Sequence, residues 1–220
     1  MRFQDASADA RAVVYAGIQA DPLVARLGAL LAGASPAQCV LARAVMNGER
    51  TDLAIWRAMV PGCFPDERSE AILGASLAVA DRGEQVRSQF RGAVVEALTQ
   101  VLLRSRAALS EPAAVRRERR VLFDGVRAEI HPYDVTVEVA GAAEVYDCKW
   151  GARGINADVL HQLDDARTHA ADEDEPLAVG LVVFDTALAA EVRLDRQTAP
   201  HEGTRLITIE NLGSLGERPA

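Results

Sequence analysis

Asp147 and Lys149 lie two residues apart in the run Glu144-Val-Tyr-Asp-Cys-Lys-Trp150, and they are the pair in this chain best suited to chemistry. Val, Tyr and Trp between Gly141 and Gly151 predict a strand, in which alternate side chains share a face. Asp147 and Lys149 then face one way, and Tyr146, Cys148 and Trp150 the other. A carboxylate holds a hard divalent cation through oxygen, and a neighbouring ammonium faces a phosphate or the attacking water. This is what a metal-dependent phosphodiester cut requires. With 32 Asp and Glu in 220 residues, an acid two places before a lysine is a common coincidence. The spacing gains weight because Lys149 is the one lysine in a chain that otherwise uses arginine. Arginine keeps its proton and is larger and planar, so the exception points to a need for a compact ammonium.

The elements that must position this pair follow from periodicity. Residues 1–83 read as a helical module. Apolar residues at helical spacing run from Asp9 to Leu31 with a break at Asp21-Pro22. Ser35-Pro36 starts a helix to Met46, Thr51 to Val60 gives another before Pro61-Gly62, and Ser69 to Asp81 a fourth. Trp56, Met59 and Phe64 are expected in its core. A long helix from Glu84 to Ala108 follows, with Gly92 one turn before Glu96. The period then changes to two. Val115 to Phe123 is a strand, Asp124-Gly125 a hairpin turn, and Val126 to Ile130 the return. Tyr133 to Val139 is a strand, and the Asp147 strand comes next. Asn156 caps a helix to Ala170. Leu177 to Phe184 is a buried strand, Ala187 to Leu194 a short helix, and Arg205 to Ile209 a last strand. Residues 213–220 are expected to be a loose tail.

Composition bounds the function classes. The chain is 49% hydrophobic and 25% charged, as in soluble globular proteins. Three cysteines without paired spacing suit a reducing compartment, and nothing approaches a membrane span, so the cytoplasm is the expected location. The formal charge of -8 argues against tight non-specific binding to a polyanion. Part of that charge is the local run Asp172-Glu-Asp-Glu175.

From residue 84 to 210 the order is helix, three strands, helix, strand. In this order and in its residues the chain resembles the PD-(D/E)xK, or restriction-endonuclease-like, nuclease superfamily. Pro132-Tyr133-Asp134 matches the first acid, with one residue inserted, and Asp147-Cys148-Lys149 matches the D/E-x-K part. Glu96 matches the helix glutamate of many members. Gln162 matches the glutamine of the branch with RecB-type and phage lambda exonuclease-type enzymes, although Ala166 stands where that branch has tyrosine. The resemblance implies an α/β (mixed α+β) fold with a restriction-endonuclease-like αβββαβ core over 84–212, preceded by the small all-α module.

In physical terms, Asp134 and Asp147 on neighbouring strands would reach one Mg2+ or Mn2+ at about 2.0–2.2 Å. The Cys148 backbone carbonyl is a candidate third ligand, and Glu96 a further one, directly or through water. Lys149 would position or deprotonate the water, and Gln162 would bond a phosphate or a metal water. Arg153 and the amide end of the following helix would hold a flanking phosphate. Arg117 and Arg119, with Arg116 and Arg120, either contact nucleic-acid backbone or guard an exposed strand edge. The competing reading makes Asp134 and Asp147 ordinary exposed acids with Lys149 as a surface partner, worth about 0–1 kcal/mol. Three functions follow as expectations. One is a metal-dependent nuclease on DNA, in defence or repair, whose helical module dimerises or binds a partner protein. The others are an inactive nuclease-like binding subunit and an RNA-directed nuclease.

Overall fold

The computed structural model describes the chain except residues 7–9, 49–52, 64–65, 108–113, 125, 128–130, 140, 142 and 218–220, and leaves aside the side chains of 10–13, 53, 60–63, 107, 114 and 126–127. The fold is mixed α/β. The chain divides into two compact units, Asp9–Val101 and a second made of Met1–Ala8 with Leu102–Ala220. The division therefore falls inside a helix rather than at residue 83, and the first residues belong with the sheet.

The helical unit holds α1 (Ala10–Gln19), α2 (Pro22–Ala32), α3 (Pro36–Asn47), α4 (Leu53–Cys63), α5 (Glu67–Ala80) and the start of α6 (Glu84–Ala107). Asp21 caps α2 by accepting from the Leu23 amide at 2.8 Å, with Pro22 preset for the first turn. Ser35 and Gln38 form a reciprocal capping box at the start of α3. Leu41, Val45, Leu73, Leu77 and Ala80 pack together, with Trp56 against them. At Gly28 a Cβ would meet Ala97 at 2.9 Å, so the glycine lets α2 approach α6 closely. Two expectations fail here. Met59 is 56% exposed rather than core, and α4 runs through Pro61 to Cys63 instead of ending before it. Phe64 lies outside the described residues.

The second unit is built on β1 (Arg2–Asp5), β2 (Ala114–Phe123), β3 (Val126–Arg127), β4 (Tyr133–Glu138), β5 (Ala143–Lys149), β6 (Leu177–Val183) and β7 (Arg205–Ile207). They form one sheet in the order β1-β2-β4-β5-β6-β7, with β3 paired to β2 beside this path. Pairs from β1 to β5 are antiparallel, while β5, β6 and β7 run parallel. The parallel joins need crossovers, and α7 (Ala157–Asp172) and α8 (Ala187–Leu194) supply them. Asn156 caps α7, accepting from the Val159 amide at 3.0 Å as its sequence position predicts. Leu160, Leu163 and Ala166 of α7 pack with Tyr133, Val145, Leu181 and Val183 in the core.

The strand β1 was not legible in the sequence and changes the reading of the arginines. It pairs Arg2 to Asp5 with Leu122 to Arg119, so β2 is an interior strand and needs no charged guard. The tail is also more ordered than expected, since Leu212–Gly216 forms a 3-10 turn with Leu212 and Leu215 buried. Of the expected return strand Val126 to Ile130, residues 128–130 lie outside the described set. Among the described residues no helix is long and apolar enough to cross a membrane.

Candidate metal centre

The β4–β5 register pairs Val135 with Tyr146 and Val137 with Glu144. One step further along the same ladder, Asp134 lies beside Asp147. The Cys148 amide donates to Asp134 Oδ2 at 2.6 Å, which ties the carboxylate to β5. Asp147 is 8% exposed and forms an ion pair with the Lys149 ammonium. Burial works against the charge on Lys149. The carboxylates of Asp147 and Asp134 outweigh it, and the ammonium pKa stays raised above the ordinary lysine value.

A third acid, absent from the sequence reading, joins the row. The β2–β4 register pairs Arg117 with Val135 and Arg119 with Tyr133, which sets Glu118 opposite Asp134. Carboxylate oxygens of Glu118 and Asp134 lie within 4.8 Å of each other. Glu118 also has φ of 52°, a left-handed conformation that costs a non-glycine residue about 1–3 kcal/mol. Its only sequence signal is an acid in the middle of Arg116-Arg-Glu-Arg-Arg120, flanked on both sides by arginines. Glu118, Asp134 and Asp147 thus occupy adjacent positions on three neighbouring strands.

The residues suit a hard divalent cation. Oxygens of two carboxylates across one ion stand about 4 Å apart when each bond is about 2.1 Å, and Glu118 and Asp134 oxygens lie within 4.8 Å. The donor set is all oxygen, as Mg2+ and Mn2+ prefer over softer metals. Like charges at this range repel, and a bound cation would relieve that.

The other expected residues each have local partners or surroundings of their own. Glu96 is 3% exposed within the helical unit, where Tyr15 Oη donates to Oε1 and Gln19 Nε2 to Oε2 at 2.7 Å. Gly92 makes room for that tyrosine, since a Cβ there would lie 3.0 Å from Tyr15 Oη. Cys148 meets the site through its amide, which donates to Asp134 Oδ2. Arg119 is 7% exposed and bonds Glu138 Oε1 at 2.7 Å and Asp5, so it locks β1, β2 and β4 together rather than facing substrate. Arg117 is partly buried, and its Nε lacks a hydrogen-bond acceptor among the described residues. Arg153 is exposed on the 3-10 turn Ala152–Gly154, as a phosphate contact would require. Gln162 is 5% exposed, and its amide is bonded to the main chain of His131.

The Ala152–Gly154 turn also shapes the lysine. Asp185 Oδ2 accepts from the Ala152 amide at 3.1 Å and fixes the turn. A Cβ at Gly154 would lie 3.0 Å from Lys149 Cδ and 3.2 Å from its Cβ and Cγ. Gly154→Ala should therefore leave the fold intact, because the glycine is not in a left-handed conformation, but displace the ammonium. The lysine stem must give by a few tenths of an ångström, so the rate loss should be several-fold, below the roughly 10²-fold that a displacement of about 1 Å at a reacting group costs. Steady-state cleavage kinetics beside a thermal melt would check this, with a rate loss and an unchanged melt as the expected pair.

No protein-family model matches the chain, and no curated protein matches it. The crystal structure of protein VC1899 from Vibrio cholerae aligns with 98% of this chain at 16% identity and a TM-score of 0.49. The chain spans 56% of that protein's length, and likeness at this level carries no argument about function.

Proposed function

We propose that the chain is a Mg2+- or Mn2+-dependent phosphodiesterase acting on nucleic acid, with DNA as its substrate. The observation that carries this reading is the row Glu118, Asp134, Asp147 on three adjacent strands, with the Lys149 ammonium paired to its last member. A divalent cation in such a cradle supplies charge neutralisation on the phosphate and a more acidic water. Asp134 and Asp147 would hold it through oxygen, and Glu118 would add a third carboxylate. The Lys149 ammonium would donate a hydrogen bond to a non-bridging phosphate oxygen or orient the attacking water. Arg153 holds a flanking phosphate. These cations are the local counterweight to a chain of formal charge -8. Defence or repair is the setting we attach to this activity, and the helical unit is the part through which a protein partner or a second copy would bind.

The test is an incubation of the intact chain with plasmid, linear duplex, single-stranded DNA and RNA, with Mn2+, Mg2+ or chelator. Metal-dependent cleavage of a DNA substrate is the expected result. Cleavage of RNA alone would move the substrate class, and metal binding without cleavage of any substrate would favour the inactive binding subunit. Lys149→Arg should lose on the order of 10²-fold in rate, because a larger planar guanidinium cannot replace a compact ammonium beside Asp147. Wild-type rate in Lys149→Arg would remove the lysine from the chemistry.

A further inference from the structure

Gln162 has a second possible task, visible only in its bonding. Its Oε1 accepts from the His131 amide at 3.3 Å, and its Nε2 donates to the His131 carbonyl at 3.1 Å. Both ends of the side-chain amide thus grip one residue's main chain. The Tyr133 hydroxyl donates back to the Gln162 carbonyl at 3.1 Å. Three hydrogen bonds therefore tie α7 to residues 131–133, immediately before Asp134. The segment is stiff on its own account, because Pro132 fixes its own backbone and restricts His131. What it needs from outside is a fixed position relative to the sheet.

We infer that Gln162 is a positioning residue for the metal centre, acting through the His131–Tyr133 backbone to fix the Asp134 carboxylate, and that it does not touch phosphate or metal water. The inference rests on the metal-centre reading above and assigns this residue a different role from the one its sequence position suggested. A side chain whose amide oxygen and nitrogen are both engaged with a peptide offers substrate little. Holding a ligand's backbone instead governs cation affinity before any substrate arrives. Partners that hold metal ligands in this way are worth on the order of 10- to 100-fold in metal affinity.

The experiment is a calorimetric titration of Mn2+ into the intact chain without nucleic acid, with a thermal melt for each variant. Gln162→Met, of similar length but unable to make either bond, should bind Mn2+ about 10- to 100-fold more weakly than wild type. Gln162→Glu keeps the acceptor and loses the donor, and should fall between them. His131→Ala should bind as wild type, because the grip uses only main-chain atoms. Wild-type Mn2+ affinity in Gln162→Met, with loss appearing only as a higher KM for DNA, would overturn the inference and return Gln162 to the substrate. Should Gln162→Met fail to fold, Gln162→Glu decides alone, and wild-type affinity there also overturns it. Absence of Mn2+ binding by the wild-type chain would instead bring down the metal centre itself, together with this inference.

Discussion

Asp134→Ala and Asp147→Ala should each abolish metal-dependent cleavage, with rates falling on the order of 10³-fold. The size follows from what a bound cation contributes. It supplies several kcal/mol of charge stabilisation at the phosphate, and about 1.4 kcal/mol corresponds to each factor of ten. The two losses should differ in kind. Asp134 is fixed by the Cys148 amide at 2.6 Å, so its removal frees that donor and weakens cation binding first. Asp147 is also the partner of Lys149. Its removal should leave the ammonium unrestrained and lower kcat beyond what weaker cation binding explains, so saturating Mn2+ should restore Asp134→Ala further than Asp147→Ala. Kinetics over a Mn2+ titration separate the two. Equal, fully active variants would show that neither carboxylate serves a cation.

The second large effect concerns stability. Arg106 and Glu144 are both 7% exposed and bonded at 2.6 Å, and the Tyr146 hydroxyl donates to the other Glu144 oxygen. Arg106 also donates to the Glu217 carbonyl at 2.9 Å, tying the chain's last described turn to the end of α6. Removing one member leaves an uncompensated buried charge, which typically costs about 3–5 kcal/mol. Glu144→Leu should therefore destabilise the sheet unit by about that amount in urea titrations followed by circular dichroism. The double variant Arg106→Met with Glu144→Leu should recover most of the loss, because an apolar pair of similar volume replaces the ion pair without a stranded charge. A Glu144→Leu protein as stable as wild type would mean that this buried pair contributes nothing net.

Both effects depend on residues of which one was readable in the sequence and the other was not. Asp147 announced itself through Lys149, the one lysine of the chain, and the strand that carries both was bounded by Gly141 and Gly151. The register that sets Asp134 beside it could be anticipated, since the two fall on successive strands. The helix α7 was equally plain, because Asn156 and the spacing of Leu163, Ala166 and Ala170 carry their own physical signal. Glu118 was hidden because its importance comes from pairing between strands and from a left-handed backbone, neither of which residue type encodes. Four residues with one buried-facing phenylalanine gave β1 no periodicity of its own, and its place comes from β2 and the Asp5–Arg119 ion pair. Gln162 is legible by position, but its bonds to the His131 main chain are not, since an amide's partners depend on what the fold brings to it. Arg119 was misread for the converse reason. A strand arginine looks exposed until a neighbouring strand covers it.

The most direct measurement is cation-dependent strand cleavage by the intact chain, read on plasmid DNA with Mn2+ against chelator, for wild type beside Asp134→Ala. Nicking by wild type in Mn2+, none in chelator and none by the variant is the predicted outcome. Equal cleavage by both proteins, or cleavage that persists in chelator, would contradict a cation held by these carboxylates as the agent of the reaction.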